Sequence, residues 1–468
     1  MEKIVSLAKR RGFIFPSSEI YGGFGSCYDF GPLGVEMKNN IKRTWWDEMI
    51  KEHNDIVGLD AGILMSPKVW KASGHLTAGF ADELVECKKC HRRFRLDEIE
   101  ENLPSHHSAK GGTGSDGCPE CEGELTKPRK FNLMMKTFVG PVEDEAAKTY
   151  LRAETCQGIY LNFKNILQTM RLKIPFGVAQ IGKAFRNEIT PKDFIYRTRE
   201  FEQMEMQWFC QPKTAPKFFD YWKKERINWY LNLGIKKANL RVKEVSKKEL
   251  PHYAKRAVDI EYKFPFGSPR FRVEAGWKEI EGIHNRGDWD LSNHAKHSGE
   301  DLRYEGPASA PQSGASAGKY FPHIIETSAG ADRSLFAFLS DAYQEVKGGR
   351  TKTTKAAKEI EVLLKLHKSL APIKVAILPL VKNKPKLVKK AKEVYQALKP
   401  HFMTQYDEIG SIGRRYRRQD EIGTLFCLTV DFDSLEKDDL TVRDRDTMKQ
   451  ERIKIKELIS FLKEKLNE

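Results

Sequence analysis

The chain has 468 residues, too many for one core of ordinary size, so two or three domains are expected. Its 80 Lys and Arg outnumber 65 Asp and Glu, and the net charge of +15 fits a polyanionic partner. The first eleven residues alternate charged and apolar types, unlike a secretory signal, and no apolar run approaches bilayer-spanning length. These features exclude a membrane-spanning reading and point to a cytoplasmic protein with no membrane partner.

In chain order, Leu33, Met37, Ile41, Trp45 and Met49 recur at helical spacing and predict an amphipathic helix over 33–53, introduced by Gly31-Pro32. A strand over Ile56 to Met65, ending at Pro67, is expected next. The apolar stripe needs a partner, either a second copy of the chain or the sheet of its own domain.

Of eight cysteines, four form two Cys-x-x-Cys knuckles, Cys87/Cys90 and Cys118/Cys121, in an insertion of about 86–125. In a long chain without secretory features, this spacing favours a tetrahedral zinc site over disulfides, with redox-active or incidental thiols as the alternative. Four thiolates leave no open coordination position, so such a metal would be structural. The Ser-, His- and Gly-rich loop Pro104 to Gly117 reads as mobile, and His91, His106 and His107 are weaker substitute ligands.

Between Ala184 and Glu205 the sequence packs three arginines and four glutamates into two strand-like runs around one turn. Val178, Ile181 and Phe185 lead in; Met204, Met206 and Trp208 follow at period two, which predicts a β-hairpin with one apolar face. Gln180, Arg186 and Glu188 then share one face of the first strand. Gln203, Glu205 and Gln207 share the face of the second that lies opposite Met204 and Met206. Guanidinium and carboxylate on one sheet face can hold an anion beside an ammonium; a salt-bridged edge hairpin is the alternative.

Further on, the stretch from Phe321 to Gly330 reads as a strand running into a glycine, and Ala331-Asp332-Arg333 opens a helix whose Leu335, Phe336, Phe338 and Leu339 face inward. An arginine in a first helical turn opposes the helix dipole. Either a bound phosphate explains it, or a local carboxylate such as Glu326 does. A basic stretch without apolar periodicity, 347–358, is expected to link a domain over 1–346 to one over 359–468. The second reads as an α/β unit: strand Ile373 to Val381, helix Leu387 to Leu398, strand Phe402 to Tyr406, a turn and helix over Gly410 to Asp420, strands Leu425 to Phe432 and Leu440 to Arg443, and a closing helix Lys449 to Leu466. Arg414, Arg415, Arg417 and Arg418 around Tyr416 fit a phosphate backbone with a stacking ring, or merely a solvated helix face.

Together these segments resemble class II aminoacyl-tRNA synthetases, and most closely the homodimeric glycyl-tRNA synthetases, over nearly the whole chain. Gly31-Pro-Leu-Gly-Val-Glu-Met-Lys-Asn-Asn40 with Pro67 looks like motif 1. Phe185-Arg-Asn-Glu-Ile-Thr-Pro191 with Arg199-Glu-Phe-Glu-Gln-Met-Glu205 looks like motif 2, and Glu326-Thr-Ser-Ala-Gly-Ala-Asp-Arg333 like motif 3. Arg152-Ala-Glu-Thr-Cys-Gln-Gly158, His252-Tyr-Ala-Lys255, Ala371-Pro-Ile-Lys-Val375 and Thr441-Val-Arg-Asp-Arg-Asp446 are similar to further family segments.

The resemblance implies an α+β catalytic domain with an antiparallel six- to seven-stranded sheet, a zinc-ribbon-like insertion held by Cys87, Cys90, Cys118 and Cys121, and a C-terminal α/β anticodon-binding domain. It implies a homodimer that uses ATP with Mg(II), glycine and tRNA(Gly): glycine attacks the α-phosphate to give an adenylate, and the terminal ribose of the tRNA then takes the glycyl group. Arg186 would hold the α-phosphate, Arg333 the γ-phosphate, and Glu188 with Phe201 the adenine. Asn187, Tyr196, Arg197, Thr198, Arg199, Glu200, Glu279, Ile280, Arg286, Gly330, Ala331 and Asp332 fall in the family's ATP-contacting segments. For glycine the resemblance implies an acidic pocket of Glu154, Glu205 and Ser328, with Glu281 and Arg95 as further candidates. Phe201, Glu202, Gln203, Met204, Glu326, Thr327, Ala329 and Gly330 fall in the same segments.

Ala153 and Cys156 stand where the family more often has proline and alanine, and Leu425 where proline is common, so the pocket's fine shape departs from the pattern while its charged groups persist. Two other readings follow from the same fold. A synthetase for another small amino acid would need polar or metal contacts to a side chain, and a non-catalytic nucleic-acid-binding relative would lack the motif arginines, both of which are present here.

Overall fold

Alternation sets the two faces of the central sheet. The computed structural model describes all residues except 77–79, 97–98, 100–116, 190–192, 266–275, 307–317, 349, 351–359 and 467–468. Seven strands run in the spatial order Leu240–Glu244, Arg256–Lys263, Trp277–Gly287, His323–Gly330, Glu200–Cys210, Phe176–Phe185 and Ile56–Gly58. Ile56–Gly58 pairs parallel with Phe176–Phe185 while the other neighbours are antiparallel, so the sheet is mixed rather than wholly antiparallel.

Met204, Met206, Trp208, Ile283, Ile325 and Ala329 join one core with the helices Pro32–Trp46, Ala215–Asn232 and Ala331–Ala342. The other face is polar where Glu205 stands in register with Gln180 on one side and Ser328 on the other, and carries a second core of Phe176, Val178, Phe209 and Ile324 farther along the strands. The predicted hairpin forms, but its first strand ends at Phe185, so Arg186 and Glu188 sit in the loop beyond it rather than in the strand.

The predicted 33–53 helix is Pro32–Trp46 followed by a π-turn, Asp47–Lys51. Met37, Ile41, Trp45 and Met49 are fully buried against the chain's own core, which settles what covers the stripe. Gly34 is required where the helix meets Phe13: a Cβ there would stand 1.8 Å from the Phe13 carbonyl oxygen. The following strand is shorter than expected, Ile56–Gly58. Pro67 ends no strand; it opens the helix Pro67–Ala72, where its missing N–H costs nothing.

In the insertion, Ala81–Glu86 pairs with both Arg93–Arg95 and Arg129–Asn132. The expected mobile loop, with His106 and His107, lies up to Asp116 outside the described residues. Most of the expected linker does too; Lys347 ends a strand, Tyr343–Lys347, that pairs antiparallel with Ile360–Leu364.

The C-terminal unit is a five-stranded sheet ordered Thr404–Tyr406, Val375–Pro379, Phe426–Val430, Asp439–Asp444 and Gln450–Lys454, the first three parallel. The expected closing helix over 449–466 is instead the strand Gln450–Lys454 and a shorter helix, Leu458–Leu466. Edge-strand pairing outweighs the helical pattern there. Of the four clustered arginines, Arg415 is buried and donates to the Pro379 and Leu380 carbonyls, Arg418 pairs with Asp407, and Arg417 with Glu361. Tyr416 bonds Thr429 through its hydroxyl. The arginine cluster therefore mainly braces its own domain, and only Arg414 is left exposed.

Candidate active site

A cavity opens on the polar face of the large sheet. Glu154, Gln203, Glu205, Glu326 and Ser328 line one end; Arg186, Glu188, Tyr196, Arg197, Thr198 and Phe201 line the other; Glu202, Glu279, Gly330, Asp332 and Arg333 complete the wall. These residues come from four stretches far apart in sequence, and the sheet register brings them together. Ile195, Tyr253, Asp259, Gly282 and His284 also line it, although the sequence had not marked them as site residues. Gly282 and His284 could not be found by alternation from Glu279, because the extra residue Ile280 reverses the parity of the strand beyond it.

At the acidic end, Glu205 is 2 % exposed and its Oε1 accepts from Ser328 Oγ at 2.6 Å and Gln203 Nε2 at 3.0 Å; its Oε2 accepts from the Thr155 hydroxyl. Burial, then the charges of Glu326 and Glu154, push its carboxyl up to about 7. Burial would raise Glu326 as well, but Arg286 and His284 outweigh it and hold that carboxyl at about 2. Arg286 Nη1 donates to Glu326 at 3.1 Å, and His284 Nδ1 lies 2.9 Å from it. Arg286 and His284 stand beside Glu326 and His75 beside Glu154, whereas Glu205 makes no ion pair among the described residues, so this end has carboxylate to offer a small cation.

The other end is cationic. Arg186 donates Nε to the Ala153 carbonyl at 3.2 Å, and its guanidinium lies 5.5 Å from the ring centres of both Phe80 and Phe201. No carboxylate among the described residues stands within ion-pair distance of it. Arg333, in the first turn of Ala331–Ala342, packs 4.5 Å over Tyr196 and sits 3.3 Å from Glu279, so its local carboxylate is Glu279 rather than Glu326. One oxygen of Glu188 is buried without a hydrogen-bond partner among the described residues.

Several expected site residues lie elsewhere. Ile280 and Glu281 both turn to the helix side because the strand bulges between the Ile260 and Glu261 pairings. Ile280 joins the core, and Glu281 Oε1 accepts from the buried Arg226 at 2.7 Å. A second bulge between Asn285 and Gly287 puts Arg286 beneath the acidic end, on Glu326 and Asp290, not at the cationic end. Arg95 pairs with Asp82 inside the insertion sheet. Met204, Thr327, Ala329 and Ala331 are buried behind the wall. Arg199 donates to the Gly25 carbonyl, Asn187 donates its N–H to Leu133, and Glu200 pairs with Lys183 at the surface. Glu202 and Asp332 do line the cavity, yet both are engaged by Lys38 of the Pro32–Trp46 helix, at 2.7 and 2.6 Å.

At the insertion, the sulfurs of Cys87, Cys90, Cys118 and Cys121 all lie within 4.8 Å of one another, with Cys87 to Cys121 at 3.5 Å and Cys90 to Cys118 at 3.7 Å. The backbone N–H of Cys90, and then that of Lys89, point at Cys87 Sγ and lower that thiol to about 6 against burial. Converging sulfurs with donated N–H groups fit a thiolate-bound metal.

A glycine–tRNA ligase of Treponema denticola is 52 % identical over 99 % of this chain and 96 % of its own length. Those of Alkaliphilus oremlandii and Thermobifida fusca are 50 % and 49 % identical over the whole chain and 98 % of theirs. The chain belongs to the glycine–tRNA ligase family. Residues 374–465 match the anticodon binding domain family. A prolyl-tRNA synthetase from Cryptosporidium parvum, solved with L-proline and AMP, superposes with a TM-score of 0.61 over 99 % of this chain and 77 % of its own, at 17 % identity. That likeness is one of fold, and the fold is that of the class II synthetases. No helix among the described residues is long and apolar enough to cross a membrane.

Proposed function

We propose that this chain activates glycine with ATP and transfers it to tRNA(Gly). The observation that carries the reading is the pairing of an acidic end with a cationic end in one cavity, in a chain half identical to glycine–tRNA ligases throughout. Glu154, Glu205 and Ser328 receive the substrate ammonium, and a pocket walled this closely rejects larger side chains by volume. Arg186 binds the α-phosphate and Arg333 the γ-phosphate, with Phe201 stacking on adenine and Glu188 accepting from its amino group. The carboxylate of glycine and the α-phosphorus are thereby brought together, and the guanidiniums stabilise charge as it passes to pyrophosphate. Mg(II) bound with ATP supplies further charge neutralisation. We assign 1–346 to the catalytic unit and 359–468 to the anticodon-binding unit.

Exchange of labelled pyrophosphate into ATP, run over the twenty amino acids, tests this reading. Glycine alone should support exchange; exchange with a different amino acid would overturn the specificity, and none at all the chemistry. The half-saturating glycine concentration should also fall as pH rises through about 7, because Glu205 is neutral below that value and an ammonium prefers the carboxylate above it.

We further infer a homodimer with one structural zinc per chain, held by Cys87, Cys90, Cys118 and Cys121. Phe15, Ile20, Tyr21 and Phe24 leave apolar surface exposed near the N-terminus, which supports an association between copies. Native mass spectrometry should give the mass of two chains and two zinc ions; a single chain, or chains free of metal, would count against the respective inference.

A further inference from the structure

His75 stands behind the acidic end of the cavity and was not among the residues marked by sequence. It is 7 % exposed, with Nε2 3.4 Å from Glu154 Oε2 and Nδ1 2.8 Å from Ser73 Oγ. Its ring is fixed between Trp70, 5.3 Å away edge-on, and Phe80, 4.6 Å away. Its carbonyl accepts from Asn132 Nδ2 at 2.8 Å, at the root of the insertion sheet. The ring thus has one orientation available, and its Nε2 edge is spent on Glu154.

Glu154 divides its oxygens. Oε1 accepts from Gln157 Nε2 at 2.8 Å and from the Cys156 thiol at 3.0 Å, whereas Oε2 meets only His75 among the described residues. Oε2 therefore keeps acceptor capacity toward the cavity. Burial alone would push this carboxyl up; His75 and then Arg286 outweigh it and hold it well below the ordinary range.

We propose that His75 is a positioning residue for glycine, holding Glu154 Oε2 where the substrate ammonium docks. This rests on the assignment of Glu154 to the ammonium pocket. A glutamate side chain has three rotatable bonds, and a pocket that discriminates by volume needs its charge fixed to within a fraction of an ångström. Without the imidazole, Oε2 loses its partner and the carboxylate can swing or take up a proton, and either change weakens ammonium binding. The adenine and phosphate contacts lie at the cavity's other end and do not involve Glu154.

The test is pyrophosphate exchange by the full-length protein with glycine and ATP varied separately. His75→Ala should raise the glycine KM by about tenfold or more, as expected for losing the one polar contact that holds Oε2 of a buried charged group among the described residues, with the ATP KM and kcat changed by less than about threefold. His75→Gln, whose amide N–H reaches toward the same oxygen, should recover most of the loss, and Ser73→Ala should give a smaller rise of the same sign. An unchanged glycine KM in His75→Ala and Ser73→Ala would overturn the proposal. So would parallel losses for both substrates with a lowered Tm that His75→Gln does not rescue, because packing alone would explain them. Should His75→Ala not fold, the comparison of His75→Gln and Ser73→Ala with wild type decides the matter by the same criterion. Failure of the wild type to exchange with glycine would instead strike the pocket assignment itself.

Discussion

Arg186→Ala is expected to lower glycine-dependent pyrophosphate exchange by about a hundredfold to a thousandfold, the range seen when one fixed donor to developing charge is removed. The structure explains why the loss should fall on chemistry and not on folding. The Arg186 guanidinium is half-buried between the Phe80 and Phe201 rings, and its Nε bond goes to a backbone carbonyl, so its charge neutralises no carboxylate among the described residues. Removing a cation that pairs with nothing leaves no orphaned anion behind, and Tm should hold. Arg333, by contrast, already faces Glu279 at 3.3 Å. Arg186→Lys should recover little, because a point charge cannot present the planar fork of donors that grips two phosphate oxygens. Wild-type exchange in Arg186→Ala would remove this residue from the reaction; an equal fall in Tm would make it structural.

The period of the strands decides how much of the site is legible in sequence. The strands Phe176–Phe185 and Glu200–Cys210 pair without a bulge, so the side chains that face the cavity from them, Glu205 and Gln203 included, can be read before the fold is known. Trp277–Gly287 bulges twice, and each extra residue reverses the parity of the positions after it while leaving no trace in composition. Family resemblance therefore places Glu281 in the pocket although it faces Arg226, and Arg286 at ATP although it underlies the acidic end. The arginines around Tyr416 mislead for a different reason: carbonyls and carboxylates that consume Arg415, Arg417 and Arg418 come from distant segments. His75 lies in a short turn with no periodicity, so nothing local announces that it meets Glu154.

Arg286→Met carries the largest expected effect on stability, about 3–5 kcal/mol, because it breaks a buried ion network from its centre. Arg286 is 3 % exposed; it donates Nε and Nη2 to the two oxygens of Asp290 at 2.7 and 2.9 Å and Nη1 to Glu326 at 3.1 Å, with Tyr253 stacked 3.8 Å from the guanidinium. Methionine fills much of the volume but leaves two buried carboxylates without their cation, and they must then bind protons or water. Glu326 should lose its lowered pKa first, since Arg286 is the chief group opposing burial there. The sign follows directly. A carboxyl depressed in the fold contributes stability above its unfolded pKa, so the wild type's advantage over Arg286→Met should be full at neutral pH. It should shrink as pH falls from about 4.3 toward 2, where Glu326 protonates in both proteins. Chemical denaturation of both proteins at neutral and acidic pH measures this difference. Kinetics separate this role from the one its sequence position implied: the glycine KM should rise as the acidic end reorganises, while the ATP KM stays within about twofold, because the guanidinium lies beneath the acidic end and not beside Arg186. A raised ATP KM with unchanged stability would mean that the arginine reaches the nucleotide after all, and that the second bulge does not turn it away.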